Sequence, residues 1–587
     1  AYIDKIIAYE TKPALGAWRN TALFAADDEY GQGAVPASWE TVHILDTETL
    51  SNLYTPKYLE VKKLYLTEFP AVQSASIAGI RKPAATEAFL QLLNNGSLTV
   101  NYAGHGNPEV WAHERLLDFA TDLDRIQNGG RQALWIAATC TFGQFDLLNR
   151  QSFGEALVMA PGRGAIAGLL TARLVYANAN AALNQQYYRF LYESNKQISA
   201  RLGTALVLAR LQTRFTENDE KFHVLGDPSL RLAIPPHSAN ITSITPDTIK
   251  ALTVMTVRGK VQRNGADWPD FNGTMRLEAL DSRRDVDYQS PGGFSMNYSL
   301  PGNSLFRGEA PVQNGNFTVQ FFVPKDITYG GLAGRLNLYF WNNSFDGNGF
   351  RDNLRVGGTA GNLVDRTGPR IDIGFAGVED FRSGGVVSTN PTLRAVISDS
   401  LSGVNIAGEI GHKITLALDG RSDDKIDVTN LFNYDSGSYT RGAVIYPLGT
   451  LSEGRHTVEI KAWDNLNNSS SVLADFVVLP QDRLVLREVM NYPNPFRNRT
   501  SFTFDLNLEA EVRVKIFTLS GRLIRTLEFP NARQGFNMLP WDGRDEDGDE
   551  LANGVYLYKI IATARNNEAI PPWAGRAEDI GKVVVQR

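Results

Sequence analysis

One thiol and one imidazole stand where apolar runs end. Leu98-Thr-Val-Asn-Tyr-Ala leads into Gly104-His105-Gly106, and Ala133-Leu-Trp-Ile-Ala-Ala-Thr leads into Cys140. A thiol attacks carbonyl carbon as its thiolate, and an imidazole within reach takes the proton. Cys140 as nucleophile and His105 as general base would therefore support acyl transfer through a thioester. Cys140 is the single cysteine of the chain, so there is no internal disulfide framework. The bland reading of a lone cysteine is a small buried hydrophobe. Its position at a strand end argues against that, because open parallel sheets collect reactive groups outside the carboxyl ends of their strands. The glycines flanking His105 let the backbone turn sharply and leave room for a substrate.

Such a sheet is legible around both residues. Over residues 1–235, short apolar runs begin at Thr21, Lys63, Leu98, Ala133 and Ala165. They alternate with helical periodicity over 83–93, 182–192 and 200–211. One further helix, expected over 116–127, would supply the crossover between the strands that carry His105 and Cys140. Nearly unbroken apolar strands alternating with helices indicate a parallel sheet covered on both faces. After Pro235-Pro236 the helical pattern stops, and short alternating strands punctuated by Gly, Asn, Asp and Thr take over. Further breaks fall at 365–369 and near Pro480-Gln-Asp. The expected organisation is multidomain: an α/β catalytic domain over 1–235, a β-sandwich over 236–368, an immunoglobulin-like sandwich over 369–480 and another small sandwich over 481–587.

Length and charge agree with that division. A chain of 587 residues exceeds what one hydrophobic core usually organises. Apolar residues make up 43% and charged residues 21%, and the net charge of −6 carries no long run of either sign. That balance speaks against nucleic acid as a partner. No apolar stretch approaches the ~18 residues of a membrane helix. The chain opens Ala1-Tyr-Ile-Asp without Met or a signal peptide, and is expected to be a processed form or fragment.

Other residues carry weaker signals. Asp27, Asp28 and Glu29 end the first apolar run on the same expected edge. They are candidates for orienting His105 or lining a substrate pocket, against a calcium-binding or simply solvated acidic turn. Trp111 is a candidate for substrate recognition, with packing against the site wall as its competitor. His113 reads as a surface residue at a helix start, with service as an alternative base the other option. Asp227-Pro-Ser reads as a turn. The acid-rich stretch 542–549 lacks the order of an EF-hand loop and reads as a β-turn. With one cysteine, no His/Cys cluster suits zinc, and no metal site is expected. No cofactor is expected beyond a structural calcium ion.

Three segments carry a family resemblance: Asn101-Tyr-Ala-Gly-His-Gly-Asn-Pro-Glu-Val-Trp111, Ala137-Ala-Thr-Cys140 with Phe142-Gly-Gln-Phe145, and Val224-Leu-Gly-Asp-Pro-Ser-Leu230. They resemble the histidine motif, the cysteine motif and the closing stretch of the gingipain-type, caspase-like cysteine peptidases. The resemblance covers roughly 1–235. It implies that Cys140 attacks a peptide carbonyl, that His105 shuttles the proton, and that backbone N–H groups near Cys140 and Gly106 hold the oxyanion. It also implies an α/β subdomain upstream of this chain. At the other end, Asn491-Tyr-Pro-Asn-Pro-Phe496, Ser520-Gly-Arg522, Trp541-Asp-Gly543 and Gly554-Val-Tyr556 resemble a type IX secretion sorting domain of FlgD-like fold. That implies export to the cell surface. In the middle, Ile244-Thr-Pro-Asp-Thr-Ile-Lys-Ala-Leu252, Val257-Arg-Gly-Lys-Val and Asp270-Phe-Asn-Gly-Thr-Met resemble the type IX sortases of the family. The implied activity is cleavage of C-terminal sorting signals from exported cargo and attachment of the cargo to anionic lipopolysaccharide. The implied partner is the outer-membrane barrel protein PorV. A secreted endopeptidase and a non-enzymatic scaffold on a decayed catalytic fold are the competing readings.

Overall fold

The structure is a computed structural model. It describes every residue except 1, 32–34, 74–79, 193–197, 215–216, 330–332, 362, 409–410, 421–424, 481, 566–570 and 572–573. Gln481, at the third expected boundary, lies outside the described residues. The chain forms two compact units: residues 1–323 with 327–359, and residues 324–326 with 360–587.

The first unit begins with a six-stranded sheet. Its strands are β1 (Thr21–Ala26), β2 (Glu60–Tyr65), β3 (Thr99–Ala103), β4 (Ala133–Ala138), β5 (Ala165–Thr171) and β6 (Phe222–Leu225), in the order β6-β5-β4-β3-β1-β2. Neighbours are parallel except β6, which runs antiparallel to β5. Helices α1 (Tyr2–Thr11), α2 (Val42–Thr49), α3 (Pro83–Asn95), α4 (Phe153–Met159), α5 (Ala177–Leu191) and α6 (Leu202–Thr213) accompany it. Both faces of β1 are apolar because both are covered. Ala22 and Phe24 pack with Leu183 and Tyr187 of α5 and Leu206 of α6, while Leu23 and Ala25 pack with Phe89 and Leu93 of α3. Each fully buried Leu or Phe contributes about 1.5–3 kcal/mol to holding these layers. The strand order reverses between β1 and β3, so the crevice of such a sheet opens at their carboxyl ends.

The expected crossover helix over 116–127 does not form as such. Val110–Trp111 pairs with Leu117–Asp118, and a single turn of helix, Phe119–Asp122, runs into a tight turn at Leu123–Arg125. Asp118 caps that turn by accepting from the Ala120 N–H. The Arg163 guanidinium then takes the Leu123 and Ile126 carbonyls, groups that a continuing helix would have bonded to its own amides. Helices α1, α2 and α4 were not expected. α2 carries little apolar periodicity, and its polar residues are spent on neighbours instead.

The rest of the first unit is all β. Pairing runs from Val254–Arg263 through His237–Thr245, Asp346–Thr359, Ala333–Trp341, Gly273–Leu280 and Ser304–Gln313 to Asn316–Phe322, which pairs back with Val254–Arg263. A hairpin of β7 (Arg284–Gln289) and β8 (Ser295–Leu300) leaves this domain and lies on the α/β domain. There Met296 and Tyr298 pack with Ala26, Ile44 and Tyr65. The Ser299 N–H donates to Glu48 of α2 at 3.0 Å. The second unit holds two further β modules. Its last one faces Leu486–Tyr492, Thr500–Leu506 and Gly535–Trp541 against four strands from Ala510 to Val585, around a core of Phe502, Val514, Trp541 and Ile560. The acidic stretch near its middle is a turn in which Asp545 accepts the N–H groups of Asp547 and Asp549.

Candidate active site

The register of the sheet sets the site. Ala103 of β3 pairs with Ala138 of β4, and His105 and Cys140 each follow two residues later. Neighbouring strands run about 4.8 Å apart, so both residues leave the same edge of the sheet side by side. Gly106 then passes against the cysteine strand: a Cβ there would stand 2.6 Å from Thr139 Oγ1. Any side chain would force the two loops apart.

The backbone of His105 is fixed from behind. Its N–H donates to Asp27 Oδ2 at 2.8 Å. Its carbonyl accepts from the Tyr102 hydroxyl at 2.8 Å and from the Ala112 N–H at 2.9 Å. Asp27 at the end of β1 therefore supports the histidine through its amide, not its ring. The ring belongs to a residue that sequence reasoning missed. His105 Nε2 lies 2.9 Å from Oε2 of Glu40, whose side chain is 1% exposed against 34% for His105. His43 Nε2 lies 3.3 Å from the same oxygen. Burial alone would raise the Glu40 carboxyl. Hydrogen bonds from His105 and His43 outweigh it and hold the group down to about 2. Glu40 is thus a fixed anion behind the imidazole, suited to orient it and to stabilise its protonated form.

Cys140 is half-buried, and its Sγ meets the backbone of Val175, 3.5 Å from the N–H and 3.7 Å from the carbonyl. Thr141 after it adopts a left-handed backbone, φ 50°. This swings the chain toward the end of β5, where the Thr141 N–H reaches Arg173 O and the Gly143 N–H reaches Thr171 O. Among the described residues the thiol and the imidazole have separate hydrogen-bond neighbours. Geometry of this kind tightens when substrate fills the space.

The remaining candidates are placed as follows. Trp111 is fully buried and stacks on Tyr102 with ring centroids 4.3 Å apart, so it forms the wall beneath the loop. His113 is exposed, in a turn and not at a helix start, with its ring 4.8 Å from that of His105. Asp28 is buried and pairs with Lys82 Nζ at 2.6 Å. Glu29 is buried and accepts from the Tyr288 hydroxyl of the hairpin at 2.6 Å. Asp227 accepts from the Ser229 N–H, as a turn residue does. A pocket opens between α2 and α5 at the ends of β3 and β4, lined by His43, Asp46, Ala103, Ala138, Asn180 and Asn184. Burial pushes the Asp46 carboxyl up to about 6. No hydrogen bond or ion pair engages that carboxyl among the described residues.

Asp27, Asp28 and Glu114 bring carboxylate oxygens within 4.8 Å of one another, with Lys82 as the cation beside them. Burial, then the charges of Asp28 and Asp27, push Glu114 up to about 8. An unfolded glutamate titrates near ~4.3, so this group binds its proton more tightly when folded. Its contribution to stability falls as pH rises from about 4.5 through 8. Glu114→Gln, neutral throughout and able to donate to Asp27 or Asp28, should raise the melting temperature at pH 8 by roughly 2–4 °C per kcal/mol regained. The gain should shrink toward pH 5. An equal shift at both pH values in scanning calorimetry would contradict a buried, protonated Glu114.

Residues 1–233 match the model of peptidase family C25. Over those residues the α/β domain is similar to the peptidase domain of that gingipain family. Residues 494–567 match the FlgD Ig-like domain. Among solved structures, the chain is similar to dimeric latent PorU from Porphyromonas gingivalis, with 28% identity and a TM-score of 0.29. It covers 68% of this chain and 39% of that one, so the chain spans well under half the length of that PorU. It is also similar to the Arg-specific cysteine proteinase gingipain R, with 19% identity over 60% of this chain and 71% of that one, and a TM-score of 0.31. No curated protein matches in sequence.

Proposed function

We propose that this protein is a cysteine peptidase and transpeptidase of the type IX sortase kind, similar in role to PorU. It cleaves the C-terminal sorting signal from exported cargo and passes the new carboxyl end to anionic lipopolysaccharide at the cell surface, working beside the barrel protein PorV. The observation that carries the peptidase part is the β3–β4 register, which sends His105 and Cys140 off one sheet edge in a C25 domain. The sortase part is supported by the middle-domain motifs at 244–252, 257–261 and 270–275, and the FlgD Ig-like domain on the same chain supports export without separating the sortase from a secreted endopeptidase.

In this reading the Cys140 thiolate attacks the scissile carbonyl and backbone N–H groups near Cys140 and Gly106 take the oxyanion. His105, as imidazolium against Glu40, gives its proton to the leaving amine, and a thioester remains. An acceptor hydroxyl or amine then loses its proton to His105 and attacks the thioester, which releases the thiolate. Incubating the protein with sorting-domain cargo and lipopolysaccharide, with mass spectrometry of the products, tests the reading. A cargo end joined to the acceptor supports the sortase. A free carboxylate at one site or scattered cuts support a secreted endopeptidase instead.

The pocket beside the site receives the side chain before the scissile bond, and Asp46 makes it favour a cation at neutral pH. Asp46→Asn should lower the preference for Lys or Arg over an isosteric neutral residue by about tenfold, on the order of 1.4 kcal/mol. The wild-type preference should fade as pH drops through about 6, where Asp46 takes up its proton. Ratios of kcat/KM for paired peptides measure this without interference from the general base. Unchanged ratios would remove Asp46 from substrate recognition.

A further inference from the structure

Glu40, His43 and His105 offer more than a hydrogen-bonded base. Glu40 comes from the tight turn Ser38–Thr41, His43 from the first turn of α2, and His105 from the loop after β3. One ligand atom of each lies within 4.8 Å of the other two. Glu40 Oε2 is 2.9 Å from His105 Nε2 and 3.3 Å from His43 Nε2. A tetrahedral zinc centre with bonds of about 2.0–2.1 Å has ligand–ligand edges of about 3.3 Å, so the Glu40–His43 spacing already matches such an edge and the Glu40–His105 pair needs only a small opening to make an N₂O face. Among the described residues Glu40 Oε1 is buried with no hydrogen-bond partner, on a side chain 1% exposed, and His43 Nε2, on a side chain 9% exposed, has only the long 3.3 Å contact to Glu40 Oε2. Left so, Glu40 Oε1 costs the free energy of an unmade hydrogen bond. His105, one-third exposed, is the way in for an ion.

We infer that Glu40, His43 and His105 form a binding site for a zinc-class divalent cation, and that its occupation inhibits the enzyme. Two imidazoles and one carboxylate suit zinc and its first-row neighbours, not calcium or magnesium, which prefer all-oxygen shells. The ion takes Nε2 of His105 in place of the proton shared with Glu40, so the neutral ring must carry its proton on Nδ1, the nitrogen left to act as base. The fourth position is left to water. The inhibitory consequence rests on His105 as the general base; the binding does not.

The test uses the full chain and zinc itself, titrated in competition with a chromophoric chelator, with cobalt as a spectroscopic substitute. One equivalent of zinc should bind wild type and Cys140→Ala with similar affinity. Cobalt bound to Cys140→Ala should show visible ligand-field bands and no sulfur charge-transfer band. His43→Gln and, separately, His105→Ala should each weaken binding at least tenfold, with circular dichroism reporting the fold of each variant. The zinc inhibition constant of His43→Gln, relative to its own metal-free rate, should rise by the same factor. Loss of binding in Cys140→Ala would mean a thiol–imidazole site and overturn the inference, as would tight binding by His43→Gln or no stoichiometric binding by wild type. If the protein proves inactive as a peptidase, the chelator and cobalt results still decide the site.

Discussion

Cys140→Ala is expected to lower cargo processing by at least ~10⁴-fold, in line with removal of a nucleophile from a group that acts as a unit. The melting temperature should stay within about 1 °C of wild type. Cys140 is half-buried past the end of β4, and the recorded contacts of its sulfur are with the Val175 backbone. Removing one sulfur there forfeits little apolar burial, unlike a truncation inside either core. The competing reading, a structural thiol, gives the opposite pair of results: retained processing and a clear fall in stability. Single-turnover assays on sorting-domain cargo, with calorimetry on the same samples, separate the two. A variant that still processes cargo at the parent rate would end the assignment of Cys140.

The parts of this site that were legible in the sequence are those written in short stretches. Ala133–Ala138 is apolar on both faces because helices cover both, Leu98–Ala103 is buried throughout with Thr99 and Asn101 bonded to Tyr192 and Asn184, and their ends announce His105 and Cys140. The glycines beside His105 signalled a close approach, which Gly106 makes against Thr139. Glu40 and His43 left no such trace. They stand 65 and 62 positions before His105, after a long loop and on elements without strong apolar periodicity. Only the strand order, with β1 beside β3, carries that loop back over the histidine. The acids that did attract notice, Asp27, Asp28 and Glu29, end the neighbouring strand as expected. Their side chains, however, are committed to the His105 amide, to Lys82 and to the hairpin hydroxyl of Tyr288. A hairpin arriving from residues 284–300 has no signal near position 29. The expected helix over 116–127 failed for a related reason: Leu116, Leu117 and Ile126 are all buried, and capping by Asp118 and Arg163 serves that burial better with a ribbon and a turn.

Glu40→Gln should lower kcat by about 10²–10⁴-fold while the thiol remains present and alkylatable. The carboxylate accepts from His105 Nε2 at 2.9 Å and is almost fully buried, so it fixes both the ring plane and which nitrogen carries the proton. A glutamine of the same shape keeps the volume but removes the anion, and its amide can present N–H where an acceptor is needed. The closest physical precedent, an aspartate-to-asparagine change behind a serine-protease histidine, costs about 10⁴-fold through the wrong tautomer. Here the histidine is one-third exposed and partly solvated, which argues for the lower part of the range. Because Glu40 does not touch substrate, KM should hold within about threefold. That split separates a positioning role from a substrate-binding one. Glu40→Asp, one methylene shorter, should recover part of the loss, since charge matters more than reach. Stability offers a second readout: the buried Glu40 anion is held by two imidazoles, and a neutral amide relieves its burial cost as well as losing its bonds, so the melting temperature should move by only a few degrees. A Glu40→Gln protein with wild-type kcat would show that His105 orients itself through its backbone alone. Asp27, Tyr102 and Ala112, which hold that backbone, would then be the positioning residues to substitute.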